Sequence, residues 1–247
     1  FAFQDTVRVS LLWDQVPVEP VSLALRNPLG QDVLKQHAGP SSERQDQRQQ
    51  FDFYVSSSMP SGRYDLLLSP PLPGEPELGT VRIVHTPALP HIGPPEQALD
   101  ARLGQHIILE GYTLSTTAKG GLEKVTPQDR LILDLYFRAS GTFDKDMTVF
   151  THLLGEAYNP KTRGPVWGQH DAPPCDGGFP TSLWLDGDTV VDRHIISIDE
   201  DAPAGIYRVE MGMYTLEDGK RVAIKAQEGR VLGDHLVLEE QVEIHNP

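Results

Sequence analysis

The chain has 247 residues and a formal net charge of −14, from 35 acidic and 21 basic residues. Such an acidic surface repels phosphate backbones, and nucleic acid is therefore not expected as a partner. Binding to an anionic membrane surface is disfavoured for the same reason. A single cysteine, Cys175, excludes an intrachain disulfide and zinc sites built on paired thiolates. A hydrophobic content of 38%, with 22 glycines and 21 prolines, indicates a globular chain of short strands and many turns.

Short segments with apolar side chains at every second position follow one another along the chain. In the first half they are residues 7–13, 21–25, 51–55, 64–68 and 81–83. In the second half they are residues 131–137, 147–154, 194–198, 207–211 and 242–244. A period of two is typical of strands that bury one face. Helix is scarce, and residues 96–103 are predicted to form one short helical turn.

Two motifs recur at matching places in the halves. The motif Gln-His occurs at residues 36–37 and 169–170, and Pro-x-Gly-x-Tyr occurs at residues 60–64 and 203–207. In the second motif, the tyrosine is predicted to open a strand with its hydroxyl bonded back to the preceding turn, the arrangement called a tyrosine corner. Landmarks that repeat in one order indicate a duplicated domain. The predicted fold class is all-β, with two tandem immunoglobulin-like antiparallel β-sandwiches.

The domain boundaries follow from the prolines. We expect a first sandwich over residues 1–87, a proline-rich linker over residues 88–96 and a larger sandwich over residues 97–247. Residues 105–114 are predicted to form the first strand of the second sandwich. We expect the opening strand of the first sandwich to be missing or to lie upstream in a longer parent protein. The chain starts at Phe1 rather than Met, so we expect a removed leader or a longer parent protein.

The second half carries a family resemblance. The string formed by residues 148–154, 169–174, 177–184, 187–188, 191–194 and 202–209 resembles the extracytoplasmic C-terminal β-sandwich domains of membrane glycosyltransferase-like proteins of green non-sulfur bacteria. The resemblance covers residues 105–214 and implies a domain on the outer side of a membrane, at the cell surface. It also implies a non-catalytic accessory or recognition role, because the chemistry of that family resides in its membrane region.

Aromatic and polar residues concentrate around the glycine- and proline-rich segment 171–180. A glycan would stack on a flat ring and bond to polar neighbours, which nominates Trp167, His170, Asp171, Trp184 and Asp186 as ligand-binding residues. The alternative for Trp184 is that it packs inside the sandwich. A glycan or a cell-surface protein is therefore the expected partner, and the sequence makes no prediction of the oligomeric state.

Acidic loops nominate a second kind of site. Asp186, Asp188 and Asp192 offer the oxygen ligands that calcium prefers, although no segment has the EF-hand pattern. The alternative is a set of solvated acidic turns, and no other cofactor is predicted.

Catalysis is not predicted. The nine histidines include no His-Glu-x-x-His arrangement, and the sequence has no nucleophile elbow, P-loop or dinucleotide fingerprint. The histidine of each Gln-His pair is expected to bond a backbone carbonyl in the following turn. Two alternative functions stay open: a structural subunit of a surface assembly that uses β-strand complementation, and a secreted carbohydrate-active enzyme.

Overall fold

The computed structural model describes residues 6–12, 20–38, 48–56, 58–69, 77–86 and 93–245. The chain divides into two compact units, Phe1–Thr86 and Pro87–Pro247. Of the predicted linker, residues 88–92 lie outside the described residues. None of the helices within the described ranges has the length and apolar character that crossing a bilayer requires.

Unit 1 is an antiparallel sandwich of two sheets. Its strands are β1 (Thr6–Leu12), β2 (Val21–Arg26), β3 (Asp32–Ala38), β4 (Arg48–Tyr54), β5 (Gly62–Ser69) and β6 (Glu77–Ile83). Strands β1 and β4 form one sheet, and the other has the order β3-β2-β5-β6. Alternate residues of both sheets, among them Leu23, Phe51 and Leu68, are buried in one shared core.

Unit 2 contains the same kind of sandwich with additional strands. They are β7 (Gln97–Leu103), β8 (Ile107–Thr116), β9 (Arg130–Ala139), β10 (Met147–Asn159), β11 (Gly164–Ala172), β12 (Thr189–Ile198), β13 (Gly205–Thr215), β14 (Ile224–Ala226), β15 (Val231–Gly233) and β16 (Leu236–Ile244). Their order is β15-β14-β7-β8-β9-β12-β11-β10-β13-β16. The strands from β15 to β12 in this order form one layer, and β11-β10-β13-β16 form the other. Strands β12 and β11 connect the two layers through two residue pairs, Gly168 with Ile198 and Gln169 with Ser197.

The two units pair their strands in the same pattern. The β1–β4 pair of unit 1 corresponds to β9–β12 of unit 2, and the order β3-β2-β5-β6 corresponds to β11-β10-β13-β16. The register corresponds as well, because Val9 lies opposite Phe51 as Leu133 lies opposite His194. A slip of one residue would turn every apolar side chain of a strand outward, so burial of one face fixes this register. The predicted fold class, all-β with immunoglobulin-like antiparallel sandwiches, is confirmed.

Both predicted tyrosine corners are present. The hydroxyl of Tyr64 donates to the carbonyl of Pro60 at 2.6 Å, and that of Tyr207 donates to the carbonyl of Pro203 at 2.7 Å. Each ring is buried in its core, so the hydroxyl needs a partner that the preceding turn supplies. Each bond ties the start of a strand to the turn that precedes it.

The alignment of the two Gln-His pairs is shifted by one residue in the structure. Strands β3 and β11 end at Ala38 and Ala172, which pair with the first core-facing valines of β2 and β10. Counting back from these alanines, Gln36 corresponds to His170, and His37 does not. Because successive side chains of a strand point to opposite faces, this shift places His37 and His170 on different faces of their sheets.

Two further predictions concern the start of unit 2. The strand predicted over residues 105–114 is confirmed as β8, which pairs with β9. The helical turn predicted over residues 96–103 is wrong, because residues 97–103 form β7. Strand β7 pairs with β8 on one edge and β14 on the other, and these ladder bonds outweigh the weak helical preference of a short segment.

Candidate functional site

Both tryptophans nominated as sugar platforms lie in the interior of unit 2. Trp184 is 0% exposed and packs against the rings of Phe137, Phe143 and Phe179. Trp167 is also buried, and its indole N–H donates to the carbonyl of Ala157 at 3.0 Å. Neither ring offers a face to a pyranose, so the prediction of an aromatic sugar platform is wrong. The packing alternative for Trp184 is confirmed, and Trp167 is buried as well.

The three aspartates nominated for calcium do not converge. Asp186 is exposed, and Asp188 accepts the N–H of Leu185 at 2.7 Å within its turn. Asp192 is buried and accepts the N–H of Cys175 at 2.8 Å. Across the described ranges, no group of three or more His, Cys, Asp or Glu side chains is placed to hold a metal ion. The predicted calcium site is therefore corrected: these carboxylates shape turns and a buried network.

A buried network of imidazoles and carboxylates crosses the point where β11 meets β12. His194 Nε2 lies 2.9 Å from Asp192 Oδ2, and both side chains are 1% exposed. His194 Nδ1 lies 2.9 Å from Nδ1 of His170, whose Nε2 faces Asp176 at 3.5 Å. His170 thus bonds a second imidazole rather than the backbone carbonyl expected from the sequence. The chain of contacts runs from a fully buried carboxylate to an exposed one.

The contact between the two imidazoles depends on one shared hydrogen. Two ring nitrogens 2.9 Å apart hold one hydrogen between them, so one imidazole donates and the other accepts. Asp192 orients His194, as a carboxylate orients the base of a catalytic triad. A nucleophile would have to complete such a triad, and the adjacent Cys175 is unsuitable. Burial, followed by the charges of Asp192 and Asp176, raises the pKa of its thiol to about 12, so almost none of it is thiolate near neutrality.

A second polar cluster, the carboxylate–histidine ladder, lies on the outer face of the sheet β11-β10-β13-β16. It consists of Asp171, His152, Glu210 and His235. His152 lies between two carboxylates, with Nδ1 2.9 Å from Glu210 Oε1 and Nε2 3.3 Å from Asp171 Oδ1. His235 Nε2 lies 3.7 Å from the other oxygen of Glu210. The ladder thus ties three neighbouring strands and the segment before β16 together.

Contacts within the ladder shift the pKa values of His152 and Glu210. Burial lowers the pKa of His152, but its contacts with Asp171 and Glu210 outweigh burial and raise the pKa to about 9. The hydrogen bond from His152 holds the pKa of Glu210 below its usual range. At neutral pH His152 is therefore an imidazolium beside the ionised carboxylate of Glu210.

The two ends of this outer face differ. At one end Phe150 lies flat on Gly212, where a Cβ atom would approach the ring to 2.4 Å, and the guanidinium of Arg221 covers the ring at 4.2 Å. At the other end is a groove of about 370 Å³, next to the ladder. Its lining residues are Leu154, Gly155, Glu156, Ile206, Arg208, Val237 and Gln241. Leu154, Arg208 and Gln241 lie opposite one another on β10, β13 and β16.

The sequence predictions found part of this surface. Of the nominated residues, Asp171 belongs to the ladder and His170 to the buried network, on opposite faces of β11. The groove and His152 were missed, although a polar residue alternating with core residues on β10 and β13 marks an outer face. The sequence did not reveal the order of the strands in the sheet. That order decides which outward side chains become neighbours, and it was needed to predict the groove and the contacts of His152.

Comparison with known proteins does not assign the chain to a family. No protein-family model and no curated protein matches the chain. Among solved structures, the chain is similar to native alpha-2-macroglobulin of E. coli, with 11% identity over 98% of this chain and 13% of that chain, at a TM-score of 0.28. It is similar to extracellular domains 3–5 of Drosophila OTK, with 11% identity over 99% and 60%, at 0.27. It is similar to a putative membrane anchored protein from Corynebacterium diphtheriae, with 13% identity over 100% and 57%, at 0.26.

The chain thus spans about 13% of the alpha-2-macroglobulin chain and less than two thirds of the other two. A TM-score below 0.5 does not establish a common fold, so these similarities carry no functional conclusion.

Proposed function

We propose that the chain is a non-catalytic recognition module of a larger extracytoplasmic, cell-surface protein, and that the outer-face groove of unit 2 is its binding site for a glycan. The groove carries this proposal. Leu154, Ile206 and Val237 give it apolar walls, and the side chains of Ile206 and Val237 remain 47% and 44% exposed. Partly exposed aliphatic side chains on a sheet face are typical of a surface that meets a ligand.

The polar lining suits a hydroxyl-rich ligand. Glu156, Arg208 and Gln241 contribute a carboxylate, a guanidinium and an amide around the apolar walls. Together these groups can donate and accept several hydrogen bonds, while the aliphatic walls contact the C–H face of a sugar ring. A groove of this size lies near the lower end of ligand sites, so a mono- or disaccharide unit would fill it.

The burial of His194, Asp192 and Cys175 supports a non-catalytic role. The imidazole of His194 is fully buried, its partner carboxylate Asp192 is buried beside it, and the neighbouring thiol of Cys175 is held neutral. No open cleft is formed by these three side chains. The extracytoplasmic location rests on the family resemblance of residues 105–214, and sequencing the encoding gene upstream of Phe1 tests it. Membrane-spanning segments or a secretion signal there would support this location.

The binding experiment is a titration of the full chain with a panel of neutral and acidic oligosaccharides, followed by amide chemical shifts. We expect shifts at Arg208, Gln241 and their neighbours, and at least a tenfold loss of affinity in Arg208→Ala. The matched control is Arg130→Ala, which removes an exposed arginine from β9 in the other layer. Binding that survives Arg208→Ala, or the absence of shifts with every sugar, would overturn the glycan proposal.

A further inference from the structure

The polar side chains that line the outer-face groove are not used by the fold. Arg208, Glu156 and Gln241 are exposed, and none of them forms an ion pair or a side-chain hydrogen bond with any residue in the described ranges. The buried side of the sandwich uses an arginine differently, because Arg193 donates two bonds of 2.7 Å to the carboxylate of Asp134. Arg208 therefore keeps its full capacity to bind an anion from outside the chain.

Two carboxylates near the groove already have partners. Glu210 lies two residues from Arg208 on β13, and its Oε1 is 2.9 Å from Nδ1 of His152. Because the pKa of His152 is raised to about 9, Glu210 faces an imidazolium. Glu243 lies on β16, and its Oε1 is 3.4 Å from Nε2 of His245. Neither carboxylate is paired with the guanidinium of Arg208.

The donors and the acceptor of the groove lie on different strands. Arg208 and Gln241 are opposite each other on β13 and β16, so their N–H groups share one side of the groove. Glu156 lies on β10, two residues beyond Leu154, which is opposite Arg208. Neighbouring strands are about 4.8 Å apart, which separates the donor side from the carboxylate. A ligand with an anionic group at one end and hydroxyl groups at the other matches this arrangement.

The apolar walls favour a close ion pair with Arg208. Ile206 and Val237 line the same groove, and a ligand that covers them also displaces water from around the guanidinium. An ion pair becomes stronger as the local dielectric falls. The planar guanidinium can donate two parallel N–H bonds to one carboxylate, which fixes the orientation of the ligand as well as its charge.

We infer that the glycan bound by the groove is acidic: Arg208 and Gln241 hold the carboxylate of a uronic acid unit, and Glu156 accepts a bond from one of its hydroxyl groups. This inference rests on the proposed glycan site and specifies its ligand class. The net charge of −14 repels anions at long range, so recognition depends on contacts inside the groove. Those contacts act over less than the screening length of about 8 Å at physiological salt.

The probes are methyl β-D-glucuronide and methyl β-D-galacturonide, each compared with its own methyl ester. Acid and ester differ only at the carboxyl group, so the ratio of their affinities isolates the contribution of the charge. Each compound is titrated into the isotopically labelled full chain up to about 20 mM at pH 7 and constant ionic strength, and amide shifts are followed. We expect at least one acid to bind about tenfold more tightly than its ester, with shifts at Arg208 and Gln241.

Two variants test the role of the guanidinium. Arg208→Gln keeps a hydrogen-bonding side chain without the charge and should bring the acid-to-ester ratio close to one. Arg130→Gln removes an exposed arginine from the other layer and should preserve the wild-type ratio. Amide shifts outside the groove report whether each variant is folded, and the wild-type comparison of acid with ester needs no variant.

The outcomes separate this inference from the glycan proposal. Equal affinity for acid and ester in the groove would overturn the inference and leave the glycan site standing. A preference for the acid that persists in Arg208→Gln would also overturn it, because another group would then bind the carboxylate. No shift in the groove with any of the four compounds would overturn it too, and the neutral oligosaccharides of the panel would then decide the glycan proposal by themselves.

Discussion

The carboxylate–histidine ladder makes unit 2 lose stability as the pH rises. The perturbation is His152→Gln, which keeps a hydrogen-bonding side chain of similar length but cannot carry a charge. In the wild type the folded-state pKa of His152 is about 9, above its ordinary value of 6.5. A raised pKa stabilises the folded state fully below 6.5, and this contribution is lost as the pH rises through 9.

The size of the effect follows from the pKa change. A shift from 6.5 to about 9 corresponds to about 3 kcal/mol in the free energy of unfolding. Solvent screens part of this, because the Asp171 side chain is 31% exposed, so we expect about 2 kcal/mol. The lowered pKa of Glu210 reports the same ion pair and is not added.

The assay is urea unfolding at pH 6, 8 and 10, followed by the fluorescence of Trp167 and Trp184. A Trp13→Phe background removes the one remaining indole, which belongs to unit 1. The difference in unfolding free energy between the parent and His152→Gln should shrink by about 2 kcal/mol from pH 6 to pH 10. His37→Gln in unit 1 is the control and should leave the curve of unit 2 unchanged. A difference that is the same at pH 6 and pH 10 would refute the ladder as a source of pH-dependent stability.

Three further results are expected. Tyr207→Phe removes the bond to the carbonyl of Pro203 and should lower the unfolding free energy of unit 2 by about 1 kcal/mol in urea titrations; an unchanged midpoint would show that the corner is not stabilising. Gly212→Ala places a methyl group against the ring of Phe150 and should cost about 1–3 kcal/mol, with matching shifts of the ring resonances; a neutral substitution would contradict the close contact. Cys175 should react with iodoacetamide at least about 100-fold more slowly in the native chain than in urea, and comparable rates would contradict its burial and raised pKa.

Local pattern was enough to predict much of the fold. Alternating apolar residues located the strands, and the same alternation decides which side chains of each strand face the core. The tyrosine corners were predictable because Pro, Gly and Tyr act on neighbouring residues. Failures occurred where a local preference was weak, as at β7, whose ladder partners are contributed by β8 and β14.

The sequence by itself determined the fold class, because a period of two needs no knowledge of which strands become neighbours. Tertiary structure alone decided the sites. It buried Trp167 and Trp184, separated Asp188 from Asp192, and placed His152 between two carboxylates from other strands. Contacts between residues far apart in sequence depend on strand order, and burial depends on which sheet face is covered. Neither is encoded within any one segment, so the ladder and the groove emerge only when the strands assemble.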